Sequence, residues 1–159
     1  DVDGNLLFNS RIRPNVPIEP AAADVHRIRA EELQHCPTWL EVAGRVKALL
    51  TGRPIVTFNS AFDRRLLIQT ANAFHDDHSW LATCQVHCAM GLAVAMYGAT
   101  NRYGTISLAA AMSLAGVTWR GQAHSAIGDV LATVDLLQSI AQVRLNLDQE
   151  LNRLQSWSD

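Results

Sequence analysis

The chain has 159 residues, 48% of them hydrophobic and 18% charged, with a formal charge of −2. That is enough apolar material for one buried core. The near-neutral charge supplies no general basic field, which excludes a stoichiometric coat on nucleic acid but leaves metal-dependent chemistry on phosphates open, because bound cations bring their own positive charge. Three cysteines without framework spacing suit a reducing compartment, and a cytoplasmic location is expected. No run of 18 apolar residues is present.

Asp3-Gly4 is a two-residue hairpin signal. The arm after it, Asn5 to Arg13, alternates Leu6, Phe8 and Ile12 against Asn9, Arg11 and Arg13, the pattern of a strand. The arm before it is only Asp1-Val2, so the strand that should pair with Asn5–Arg13 is expected to be missing, and Asn5–Arg13 to lie at a sheet edge. Pro14, Pro17 and Pro20 then make a loop, and Ala21–Ile28 reads as a short helix. Thr38-Trp39-Leu40-Glu41 is a capping box that opens a helix with Trp39, Val42, Ala43 and Val46 on one face, stopped by Gly52.

Pro54–Phe58 is a short β-branched run expected to be a buried central strand, followed by a helix that Ser60 caps and that turns Phe62, Leu66, Leu67 and Thr70 or Ala71 inward. A looser stretch, Phe74–Trp80, carries Asp76 and Asp77, which read as solvated acids, as does Asp135. A helix is expected around Val86–Met96, a Gly/Asn loop over Gly98–Gly104, and a helix over Ser107–Ala115 closed by Gly116. A long helix begins near Ser125, with Leu131, Val134, Leu137, Ile140 and Ala141 as its apolar face. Residues 1–145 are expected to form one α/β domain and 146–159 a C-terminal helical extension or tail.

Two places carry chemistry. Asp63 follows a strand and sits in the first turn of a helix, where an acid is either a helix-start carboxylate or a ligand delivered to the crevice at a strand's carboxyl end. His124 and Asp129 are five apart, so they converge only if His124 lies in the loop and Asp129 in the helix. A rival set is Cys84, His87 and Cys88, with His75, His78 or Cys36 as a fourth ligand, which would suit zinc.

Asn59-Ser60-Ala61-Phe62-Asp63-Arg64-Arg65-Leu66-Leu67 and His124-Ser125-Ala126-Ile127-Gly128-Asp129, in this order, resemble the second and third motifs of the DnaQ-like, DEDDh-type 3′–5′ exonucleases. Val25-His26-Arg27-Ile28 resembles a further segment of that family, and the likeness runs from Asp1 to about Ile140. It implies an α/β, RNase H-like mixed sheet flanked by helices, here with the N-terminal strand missing. It also implies a two-metal phosphodiesterase using Mg2+ or Mn2+, with Asp63 and Asp129 as metal ligands and His124 as general base. His26, Phe62 and Asn59 would bind substrate, the 3′ end of single-stranded DNA or RNA.

Three departures stand out. The family's first motif, Asp-x-Glu, is absent ahead of Asp3-Gly4, Arg27 replaces a glycine, and Phe58 replaces a His or Tyr before Asn59. With two of four carboxylates, catalysis by this chain is expected to be impaired. The alternative is an inactive module of the same fold that binds nucleic acid, a polymerase-type partner or a second copy of the chain through its C-terminal helix.

Overall fold

In the computed structural model of the chain, residues 1–120 and 125–155 are described. They fall into two compact units, Asp1 with Asn5–Cys88, and Val2–Gly4 with Ala89–Asp159.

In the first unit the Asp1 carboxylate accepts the Asn5 N–H at 2.8 Å and its side-chain amide at 3.1 Å. Gly4, at φ +84°, completes a tight turn as the Asp3-Gly4 signal requires. The hairpin does not follow. Asn5–Arg13 is extended and irregular, and its described β pairing is an isolated bridge from Arg13 to Thr38. A strand needs a ladder, and this segment is held by other means. Phe8 and Ile12 pack on the core, while the Leu7 carbonyl accepts from the Arg45 guanidinium at 3.2 Å.

Helix α1, Pro20–His26, has proline in its first turn and ends where Arg27 enters the left-handed region at φ 56°, its N–H donating to the Ala23 carbonyl at 2.8 Å. That turn stops the helix two residues short of the expected Ile28. A 3-10 turn over Ala30–Leu33 leads to α2, Trp39–Leu50. The Glu41 carboxylate accepts both the Thr38 N–H at 2.7 Å and the Thr38 hydroxyl at 2.8 Å, as the capping box predicts. Trp39, Val42 and Ala43 form a buried cluster with Ala71, flanked by Val46, Leu67 and Phe74.

Asp76 and Asp77 differ in role. His75, at φ 55°, turns the chain after the next helix so that Asp76 meets the core. Asp76 accepts from Trp39 Nε1 at 2.9 Å and from Lys47 Nζ at 2.9 Å. Its side chain is 16% exposed, so it is not the solvated acid expected from composition. Lys47 beside it lowers its pKa. Asp77 is exposed and accepts the Ser79 N–H and hydroxyl.

Strand β1, Pro54–Thr57, leads into α3, Ser60–Ala73; a 3-10 turn, Ser79–Thr83, then leads to β2, Gln85–Cys88. The two strands pair in parallel, Pro54 with Gln85 through Thr57 with Cys88. Residues 86–88, expected to begin a helix, are therefore strand; a backbone ladder overrides the apolar run. β1 alternates between exposed and half-buried residues, with Val56 42% exposed, and is not the doubly covered strand its composition suggests. Asn59, not Ser60, caps α3: its side-chain oxygen accepts the Phe62 N–H at 3.4 Å.

The second unit packs α4, Ala89–Tyr97, α5, Leu108–Leu114, and α6, Ala126–Gln155, against one another. Ser107 caps α5 by accepting the Ala110 N–H at 3.1 Å, and Gly116 leaves it at φ +66°. Ser125 caps α6 by accepting the Gly128 N–H at 3.1 Å. The buried residues of α6 are Ala132, Thr133, Leu136 and Ile140. The expected face is thus rotated: Leu131, Val134 and Leu137 flank the contact and Ala141 is exposed. Small Ala132 lets the helices approach closely, a choice that apolar periodicity alone does not make. α6 continues unbroken past residue 145. Its segment Ala126–Glu150 has the length and apolar composition of a membrane span, with 28% of the most apolar window buried within the protein. Asp135 accepts two hydrogen bonds from the Arg120 guanidinium, at 2.7 and 2.5 Å, and is likewise no solvated acid.

Two stability changes follow. Leu136→Ala should cost about 2–5 kcal/mol, since Leu136 is fully buried. Arg27→Gly should stabilise by about 1 kcal/mol, by relieving a left-handed conformation that a Cβ disfavours. Urea unfolding of the two variants checks both signs.

Candidate functional site

Asp63 lies in the first turn of α3, directly beyond the carboxyl end of β1. The strand ends at Thr57, Asn59 closes the helix start, and the Asp63 N–H donates to the Asn59 carbonyl at 3.1 Å. The carboxyl is half-buried, and burial raises its pKa above the ordinary 3.8 against opposing pulls from the Thr57 hydroxyl and the Asn59 backbone. Thr57 Oγ1 is itself buried without a hydrogen bond of ordinary geometry, so its pull is that of a nearby dipole rather than of a formed bond. Among the described residues Asp63 makes no ion pair. An acid desolvated without a cationic partner, beside an unsatisfied hydroxyl, is what a hard divalent ion would complete.

Asp129 lies in the first turn of α6 and is half-buried. Its N–H donates to the Ser125 carbonyl at 2.9 Å and its carbonyl accepts the buried Thr133 hydroxyl at 2.8 Å, which fixes the backbone that bears it. Asp63 belongs to the first unit and Asp129 to the second. His124 lies outside the described residues.

His26 ends α1, half-buried, with Nδ1 accepting the Ile28 N–H at 3.0 Å. That bond places the ring proton on Nε2, leaving a donor for a ligand. Asn59 uses its oxygen in the long cap to Phe62. Phe62 and Leu66, expected inside, are 45% and 43% exposed. The Arg65 guanidinium lies 5.6 Å from the Phe62 ring centre, a cation–π contact. Leu67 and Ala71, also expected inside, do carry the inward face of α3.

The zinc constellation does not assemble. His87 and Cys88 are successive strand residues and point to opposite faces; His87 is exposed. The Cys84 thiol donates to the Trp80 carbonyl and the Cys88 thiol to the Phe58 carbonyl. Among the described residues no three His, Cys, Asp or Glu side chains gather to hold a metal. Sequence reasoning missed Thr57, whose only signal is its place at the end of a strand two residues before Asn59.

A parallel strand pair, a helix leaving the first strand and an acid in that helix's first turn define an α/β protein whose ligands collect at strand carboxyl ends. The RNase_T exonuclease family model matches residues 2–137. The chain is also 29% identical over 148 residues to "Uncharacterized exonuclease CP81" of Escherichia phage 186, covering 89% of this chain and 76% of that protein. The chain belongs to the exonuclease family, and its fold is of the RNase H-like α/β class.

Burial of Asp63 has a measurable consequence. Its folded-state pKa lies above the unfolded value, so the folded chain binds more protons, and stability falls as pH rises from about 3.8 through the raised value. Asp63→Asn should remove that decline and raise the melting temperature at pH 7 in EDTA. Melts from pH 3 to 7 that superimpose for the two proteins would contradict it.

Proposed function

We propose that this exonuclease-family domain hydrolyses nucleotides from the 3′ end of single-stranded DNA or RNA, using a divalent cation held by Asp63 and Asp129, with His124 as general base. The observation that carries the reading is Asp63: a desolvated carboxyl with no ion pair among the described residues, just beyond the end of β1, beside the Thr57 hydroxyl. Support for Asp129 and His124 comes from the third-motif pattern and from the family match.

Mg2+ and Mn2+ suit the hard carboxylate oxygens of both aspartates, and such an ion, when bound, polarises a phosphodiester and offsets its charge. The chain's own groups supply the rest. His124 takes a proton from the attacking water, a task that suits an imidazole because it titrates near neutrality. The Nε2–H of His26 donates to the terminal nucleotide, and the exposed Phe62 ring offers its base a stacking surface, with Asn59 holding the turn that presents both Phe62 and Asp63.

A second reading keeps the fold without the reaction, since one fold can host binding as well as catalysis. On that reading the chain binds nucleic acid without cutting it. Digestion of a 5′-labelled oligonucleotide in Mn2+ distinguishes the two. The 159-residue chain should cut slowly, and a longer chain bearing an Asp-x-Glu strand ahead of Asp1 should cut faster from the 3′ end. In that longer chain Asp129→Asn or His124→Ala should each cost at least about 10²-fold. A longer chain that stays inert favours the binding module; activity that survives Asp63→Ala places the chemistry elsewhere.

A further inference from the structure

Beside α1, in the first unit, lies an open cavity of about 840 Å³ lined by residues that include Pro17, Ile18, Asp24, Arg27, Ile28 and Arg29. Neither Asp63 nor His26 lines it. Its walls divide by chemistry. Ile18 and Ile28 are half-buried and present apolar surface, while Arg27 and Arg29 are exposed guanidinium groups two residues apart. Among the described residues neither Arg27 nor Asp24 is in an ion pair. The neighbouring acid Glu32 is already engaged, accepting the Arg29 N–H at 2.8 Å and the Arg11 guanidinium at 3.1 Å.

Arg27 also holds a backbone conformation that disfavours any residue with a Cβ, at φ 56° and ψ 25°. A glycine would fit this position better, so the fold alone does not account for arginine here. One uncommitted positive fork, Arg27, a second at Arg29 that also lies in the field of Glu32, an apolar wall and a nearby carboxylate match the parts of a nucleotide. Guanidinium recognises phosphate oxygens in pairs, the apolar wall takes a base, and a carboxylate accepts from a base N–H or a ribose hydroxyl.

We infer that this cavity is a nucleotide-phosphate subsite in which Arg27 and Arg29 clamp the phosphate, Ile18 and Ile28 support the base, and Asp24 accepts from base or sugar. The phosphate belongs either to a single strand held away from its reacting end or to a free mononucleotide. The first source rests on the exonuclease reading; the clamp itself does not.

The test is binding without cleavage. Fluorescence anisotropy with a labelled oligothymidylate in EDTA, over a range of KCl, compares the unmodified chain with Arg27→Gly and Arg29→Gln. Each variant should weaken binding about tenfold and flatten the log–log salt dependence by about one unit. Arg27→Gly is expected to be no less stable than the parent, so its loss of binding is not a loss of fold. Displacement of the oligothymidylate by dTMP makes the free mononucleotide sufficient; failure to displace it assigns the site to the strand. Affinity and salt slope unchanged in both variants overturn the inference, as does a parent chain that binds neither oligothymidylate nor dTMP. Variants that bind like the parent while Asp63→Asn abolishes Mn2+-dependent cutting would sink the subsite and leave the exonuclease reading standing. The reverse pattern, binding lost in the arginine variants with no cutting by any form of the chain, would keep the subsite and remove the reaction.

Discussion

The parallel pairing of β1 with β2 is the constraint on which the candidate site depends. Parallel neighbours cannot be joined by a tight turn, so the chain must leave β1 at its carboxyl end and return to the amino end of β2. Helix α3 makes most of that journey, and its first turn therefore has to stand just beyond Thr57. Asp63 is the acid that lands there. Its position follows from the direction of two short strands, not from any contact of its own.

Two carboxylates of the same unit show how environment separates structure from chemistry. Asp76 is mostly buried yet fully employed, joining Trp39 in the core to Lys47, whose charge holds its pKa low. Such an acid is held in one place and has little left to offer a ligand. Asp63 is half-buried with no ion pair among the described residues, and its pKa moves the other way. A fold that desolvates a carboxylate without pairing it leaves a free-energy cost that a bound cation would recover.

The same contrast runs through the basic residues. Arg120 is committed to Asp135 and Arg11 to Glu32, while Arg45 spans the Leu7 carbonyl and the Phe8 ring. These arginines tie irregular segments to helices. Arg27 ties nothing among the described residues and sits in a backbone conformation that favours glycine, and that combination marks it as a residue kept for a ligand.

Local signals in the sequence determined several of the helix starts and stops. The Thr38–Glu41 box, the Ser107 cap, and the turns at Gly52 and Gly116 are each settled within a few residues, where side chain and backbone meet without help from the rest of the fold. The order and spacing of the two motifs likewise pointed to the exonuclease family, because such patterns survive in the linear chain. Tertiary structure alone decided the rest. Asn5–Arg13 alternates like a strand but finds no ladder, and Val86–Cys88 looks helical but is claimed by β1. Phe62 turned outward and Asp76 inward because packing around Trp39 and Ala71 ranks burial by shape and partner, not by residue type. Which α6 residues meet α4 and α5 was open for the same reason: a helix apolar on several sides lets its neighbours choose the face.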